Sequence, residues 1–376
     1  MTTIQQTPSA RSEQRSKPFI VSADCHVNEP PDLWEKRIDE QYRHRLPHRE
    51  IRNGEEWVVV EGHRPVRVRQ LKLEGEDLER SQAGSRNPEE RRRDLDRDGV
   101  DAEVIYPNRG LLMYTSPDPG FQTEMCRVWN DWSFETFKDY WDRMAPTCAV
   151  APIDVPSAIA ELERCAALGF RSVFMPAQVA GKPYNSPEFE PLWAAVQDSG
   201  IPISFHVGTG RDPRTASGNG GAIINYAIHA LGAAQEPVAQ LCSSGVLERF
   251  PTLRFVTVEA GIGWIPWLLH ALDEAAHKHH FWVRPQLPML PSEYWRRQGY
   301  ASFQDDPIGL QLYHEIGIDN MLWGNDYPQH EGTWPHSQEV IAQTMGHLTD
   351  EERRKVLGLN AAKLYGFTVP DAPARN

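Results

Sequence analysis

Phe19-Ile-Val-Ser-Ala-Asp24-Cys25-His26 is a short apolar run that ends in two metal-type side chains. A strand alternates its side chains, so residues two apart point to the same side. Asp24 and His26 therefore project together from the end of this strand, with Cys25 turned the other way. A carboxylate oxygen and an imidazole nitrogen aimed at one point are two ligands for a divalent cation. Asp-x-His alone is a weak signal, and its weight depends on whether other strand ends supply further ligands.

Outward from this stretch the chain falls into strands separated by helices. Asn28-Glu29-Pro30-Pro31 forces an extended turn. The polar residues 28–101 read as an insertion over one face of the fold, with a small hairpin around Trp57–Val60. The charge run Glu89-Glu90-Arg91-Arg92-Arg93-Asp94 reads as a solvated helix. Strands are then expected near residues 102, 147, 172, 202, 253, 300 and 321. Helices begin at Pro156, Ser186, Trp264 and Pro307, and glycines such as Gly169 and Gly200 close two of the preceding ones. Aromatic and Met residues at helical spacing (Phe121, Met125, Trp129, Trp132) predict a long core helix over 120–143. Eight strands alternating with helices require parallel crossovers. The expected class is α/β, in the form of a (β/α)8 TIM-like barrel. An open doubly wound sheet would place a glycine-rich phosphate turn after the first strand, where Asp24-Cys25-His26 stands. Residues 1–17 and 369–376 read as tails flanking one domain over 18–368.

Composition narrows the function. The 376 residues are 40% apolar and carry a formal net charge of -13, which argues against a nucleic-acid or anionic-membrane surface. No apolar run approaches the ~20 residues that span a bilayer. The first 17 residues lack the apolar centre of a signal peptide. Five scattered cysteines without CxxC spacing read as reduced thiols in a cytoplasmic protein.

In such a barrel the chemistry lies at the C-terminal strand ends. Strand five delivers His206, strand six ends in Glu259, and strand eight in Asp326. A lone buried histidine is more often a hydrogen-bonded core residue, but several rim residues agreeing in type weigh against that. Asp24, His26, His206 and Asp326 supply two imidazoles and two carboxylates, a mixture suited to Zn(II), Mn(II) or Fe(II). Arg109, just past strand two, is a candidate clamp for a substrate carboxylate or else a surface cation. Trp264 and Trp334 are candidate pocket walls or else core.

Four segments carry a family resemblance: Asp24-Cys-His-Val-Asn-Glu-Pro-Pro-Asp-Leu-Trp34, Phe205-His206-Val-Gly, Glu259-Ala-Gly-Ile-Gly-Trp264 and Gly324-Asn-Asp326-Tyr-Pro-Gln-His-Glu-Gly-Thr-Trp334. From about residue 19 to 367 the chain resembles the amidohydrolase-superfamily branch that contains aminocarboxymuconate-semialdehyde decarboxylase. The resemblance implies a distorted barrel, one catalytic divalent cation and a dimer. It makes the first-strand pair, His206 and Asp326 the ligands, with zinc the first candidate and iron or manganese the alternatives. Two positions depart from the family pattern: Asp24 stands where many members have histidine, and Glu259 where decarboxylase members have one.

Three functions follow as expectations. The first is metal-assisted hydrolysis or non-oxidative decarboxylation of a small, carboxylate-bearing and aromatic substrate. Asp326 pairs with water there, and Glu259 or the loop histidine His330 moves the proton. The second is a dinuclear iron or manganese oxygenase component, with a second cation held by Glu259, His330 and His336. The third is a non-catalytic subunit partnering an active paralogue. The expected assembly is a homodimer or larger, or a hetero-oligomer with that paralogue.

Overall fold

The computed structural model describes residues 17–68, 73–210, 216–279 and 281–370. The expected tail over 1–17 therefore falls, except for Lys17, outside the described residues, as do the last six positions. Eight parallel strands carry the fold: β1 (Val21–Val27), β2 (Ala102–Pro107), β3 (Met144–Pro146, resuming at Cys148–Ala149), β4 (Val173–Pro176), β5 (Ile203–His206), β6 (Phe255–Val258), β7 (Gly299–Phe303) and β8 (Met321–Trp323). Each pairs in parallel with its sequence neighbour: β1 with β2, β2 with the first part of β3, the second part of β3 with β4, and so on to β8.

The seam between β8 and β1 is made just beyond β8. His26 N donates to Tyr327 O (2.7 Å) and Asp326 N to Asp24 O (2.9 Å), and Cys25 bridges Tyr327 in parallel. The strand order is that of a (β/α)8 barrel whose last joint consists of these bonds rather than a regular ladder.

Local sequence explains the elements. The Asp118 side chain caps the helix Pro119–Phe137, with Pro119 in its first turn. That helix ends at Phe137, before the expected residue 143, and a 3-10 turn over Lys138–Tyr140 leads on toward β3. The Asp154 side chain caps Val155–Leu168, and Gly169, at φ 94°, closes it in the left-handed conformation that glycine tolerates best. The barrel interior is filled in part by polar groups that bond one another: Tyr106 Oη donates to Ser204 Oγ (2.9 Å), which shares a hydrogen bond with Ser172 Oγ (2.8 Å).

The insertion after β1 holds an antiparallel ribbon (His48–Arg52, Glu55–Val59, Val66–Arg67) and two helices, Gly75–Gly84 and Pro88–Asp98. Helix 88–98 corrects one expectation. Its charge run is not simply solvated, because Arg91, Asp94 and Asp98 are buried together with Leu95. Those four positions lie three to four apart and so share one helix face. All five cysteines are free and buried. No helix among the described residues is long and apolar enough to cross a membrane.

Candidate metal centre

Five of the rim residues converge. Asp24 Oδ1 lies 3.8 Å from His26 Nε2 and 3.6 Å from His206 Nε2. His26 Nε2 is 3.4 Å from Asp326 Oδ1, and His206 Nε2 is 3.5 Å from Glu259 Oε2. The ligand atoms of Asp24, His26 and His206 all lie within 4.8 Å of one another, as do those of His26, Glu259 and Asp326. Ligands about 2.0–2.2 Å from one cation stand roughly 3–4 Å apart, the spacing of these four pairs, and the two groups share His26.

The strands aim these groups, and neighbouring atoms hold them. His26 Nδ1 contacts Pro107 O (3.0 Å) and His206 Nδ1 contacts Val207 O (2.8 Å). A carbonyl only accepts, so each Nδ1 carries the proton and each Nε2 turns a lone pair to the centre. Gln304 Nε2 donates to Asp24 Oδ2 (2.9 Å), leaving Oδ1 facing the two imidazoles. The imidazoles meet edge to face at 5.0 Å, with the Tyr106 ring 5.0 Å from His206. Glu259 and Asp326 occupy left-handed backbone at φ 61° and 53°. Non-glycine residues are held there at a cost, most often at functional sites. Ser302 Oγ accepts from Glu259 N (3.1 Å), as Asp24 O does from Asp326 N.

Charge is concentrated and unanswered. Asp24, His26, His206 and Asp326 are fully buried, and Asp24 Oδ1, both Nε2 atoms and both Asp326 oxygens have no hydrogen-bond partner. Such atoms are costly unless something coordinates them. Burial pushes His26 down to about 4, and the charge of His206 adds to the effect. Burial opposes a charge on His206 too, but the facing Asp24 and Glu259 outweigh it and raise its pKa. Burial raises the Asp326 carboxyl well above the carboxylate range, with Glu259, Asp24 and Glu331 adding repulsion. Two imidazoles and crowded carboxylates in two groups that share His26 are the donor set a divalent cation takes, so the residues fit such an ion.

The remaining expected residues divide. The Arg109 guanidinium, half-buried, has no hydrogen-bond or ion-pair partner among the described residues. Its backbone N–H and that of Gly110 donate to the buried Glu29 carboxylate at 3.0 Å each. Trp264 Nε1 donates to Ala260 O and Gly261 O (3.0 Å each), tying down the turn that carries Glu259. Trp334 is not placed as a pocket wall: it packs on Cys25 and Tyr327 behind β1, with Nε1 3.4 Å from Asp94 O. His336 is exposed and pairs with Glu339 (3.0 Å), so it does not join a second cation site. His330 pairs with Glu331 (2.6 Å) on the loop beyond Asp326 and lies outside both ligand groups. Sequence reading passed over Gln304, Glu331 and Asn325. Gln304 directly follows β7, a rim position that could have marked it.

The family model described as amidohydrolase matches residues 23–367. The chain is 22% identical over 325 residues to a 2-amino-3-carboxymuconate-6-semialdehyde decarboxylase of Dictyostelium discoideum, covering 83% of this chain and 85% of that protein. It superimposes on 5-carboxyvanillate decarboxylase from Sphingomonas paucimobilis with a TM-score of 0.67 at 20% identity, covering 94% of this chain and 100% of that one. A dihydroxybenzoic acid decarboxylase from Polaromonas, solved with manganese and the inhibitor 2-nitroresorcinol, matches with a TM-score of 0.64 at 18% identity over 93% and 97% of the two chains.

Proposed function

The chain belongs to the amidohydrolase family, and on that premise we propose a divalent-cation-dependent enzyme that removes the carboxylate of a small aromatic acid without oxidation. Hydrolysis of such a substrate is the alternative outcome at the same centre. The observation that carries this reading is the set of buried, unpartnered ligand atoms on Asp24, His26, His206 and Asp326. The decarboxylase names of the relatives support the reaction class, and the manganese in one neighbour gives weight to Mn(II) among the candidate cations.

A cation held by these four residues supplies Lewis acidity that polarises a carboxylate or carbonyl and acidifies water. The chain's own groups do the rest. Arg109 orients the substrate anion from the β2 end, where its guanidinium makes no side-chain hydrogen bond or ion pair among the described residues. When the carbon–carboxylate bond breaks, the electron pair stays on carbon and a proton must replace carbon dioxide. Glu259 is the donor, because it faces His206 at 3.5 Å yet keeps its side chain 19% exposed, so it can reload from solvent. For hydrolysis Asp326 accepts the proton of the attacking water, and His330 with Glu331 leads it outward.

One observation favours a second reading. Asp24, Glu259 and Asp326 bring three carboxylates to the centre, and the two ligand groups share His26. One divalent cation leaves one negative charge over, and a second on the Glu259 side, as a dinuclear iron or manganese oxygenase component requires, turns that into one positive charge. Metal analysis with oxygen-uptake measurement separates the two: one ion per chain and no uptake removes the second. The partner-subunit reading fails if the isolated chain is active. A homo-oligomer remains the expected assembly, and the exposed Trp267 and Trp282 are apolar surface available to it.

The first reading is tested by loading the protein with Mn(II) or Zn(II) and assaying carbon dioxide release from hydroxybenzoic and related aromatic acids. Glu259→Gln should lower kcat by roughly 100-fold or more while KM moves little, as expected for a proton-transfer group. A wild-type pH–rate profile in that variant would exclude Glu259 as the donor.

A further inference from the structure

Helix 88–98 presents a buried charged face to the two chain segments that carry ligands. Arg91 pairs through two nitrogens with Glu103 of β2, and its Nη1 donates to His26 O (2.7 Å). One turn on, Asp94 Oδ2 accepts from Tyr327 Oη (2.7 Å), and Arg80 holds its other oxygen (2.7 Å). At the end of the helix, Asp98 Oδ2 accepts from Asn325 Nδ2 (2.9 Å) and Ser337 Oγ (2.5 Å), and Oδ1 from Ser337 N (3.1 Å).

Asn325 is the hinge of this arrangement. Its Oδ1 accepts from Ser22 Oγ (2.9 Å), Cys25 Sγ (3.1 Å) and Tyr327 N (3.3 Å), and its own N–H donates to Ser22 Oγ (2.9 Å). One fully buried amide thus joins helix 88–98, β1 and the turn that carries Asp326. The β8–β1 seam has no regular ladder of its own, so the separation of His26 from Asp326 depends on what grips both sides. Arg91 grips the His26 carbonyl. Asp98, through Asn325, grips the residue before Asp326, whose left-handed backbone would otherwise relax.

We propose that the Asp98–Asn325 hydrogen bond positions Asp326 against His26, so that the insertion, together with the barrel's own seam bonds, sets the geometry of the cation centre. Asp98 and Asn325 are positioning residues that touch no ligand. This inference rests on the cation reading of the centre, and its test keeps the two apart.

The test measures Mn(II) or Zn(II) affinity calorimetrically, with the melting temperature of each cation-free variant as a second readout. In Asp98→Asn the new amide nitrogen or oxygen must meet Asn325 Nδ2 or the Ser337 donors with one partner too few. Cation affinity should fall about 10–100-fold, the usual cost of losing an outer hydrogen bond at a metal site. The exchanged pair D98N/N325D restores the match: the new amide at 98 donates to the new carboxylate at 325, which still accepts from Ser22, Cys25 and Tyr327. It should recover most of the affinity with net charge unchanged. Ser337→Ala removes a different donor to Asp98 and should lower the melting temperature with affinity little changed.

Wild-type affinity in folded Asp98→Asn would overturn the positioning role alone. No cation binding by the wild type would overturn the cation reading, and the inference with it. If Asp98→Asn does not fold, the exchanged pair decides: folding and affinity recovered together support the proposal, and folding recovered without affinity overturns it.

Discussion

The molecule buries charge in two neighbouring places and treats them in opposite ways. Behind β1, Arg91, Glu103, Asp94 and Asp98 are all buried, and each finds donors or acceptors within the protein. Inside the barrel mouth, Asp24, His26, His206 and Asp326 are just as buried, but five of their polar atoms are left without a hydrogen bond. Burial is therefore not what marks a site here. Buried polar groups are normally satisfied; here five unsatisfied atoms, all of imidazoles and carboxylates, gather at the barrel mouth.

The largest expected effect is at the unsatisfied cluster. His206→Ala or Asp326→Ala should abolish stoichiometric cation binding and activity while the melting temperature of the cation-free protein holds or rises, because each removes unpartnered buried atoms. Full metal content in either variant would dissolve the contrast.

Next comes the satisfied cluster. Arg91→Met leaves Glu103 buried without its partner and should cost about 3–5 kcal/mol of folding stability, measurable by denaturant unfolding. Replacing both, as R91M/E103L, should recover much of that loss, since a well-packed apolar pair often equals a buried ion pair. If the single variant unfolds at the wild-type denaturant concentration, the pair is not a structural tie.

The smallest effect lies at the edge of the unsatisfied cluster. Gln304→Ala frees Asp24 Oδ2 and should weaken cation affinity about tenfold with little change in stability. An unchanged affinity would mean that β1 alone orients Asp24.

The strand-end residues were legible because a period of two is a local property. Asp24-x-His26 faces one way whatever lies around it, and His206 ends a short apolar run, Glu259 directly follows one and Asp326 comes three residues after one. Helix 88–98 was not legible in the same way. Arg91, Asp94, Leu95 and Asp98 do recur at helical spacing, but a charged face normally points to water, and nothing local says that Glu103 and Asn325 wait on the other side. Trp334, open in the sequence between pocket wall and core, packs in the core, and His336 stays on the surface, for the opposite reason. They follow Asp326 closely in sequence, yet the chain leaves the rim beyond Glu331, so closeness along the chain did not become closeness in space.

The amino-acid order by itself determined the alternation of strand and helix, the family, and the set of side chains standing at strand ends, since these depend on hydrophobic period and on residues read in place. Tertiary structure alone decided which of those side chains share a point, which imidazole nitrogen faces it, and that a charged helix from an insertion grips the seam behind it. The reason is physical: tautomer, desolvation and hydrogen-bond satisfaction belong to pairs of groups brought together across as many as 303 residues, and no local pattern encodes the partner.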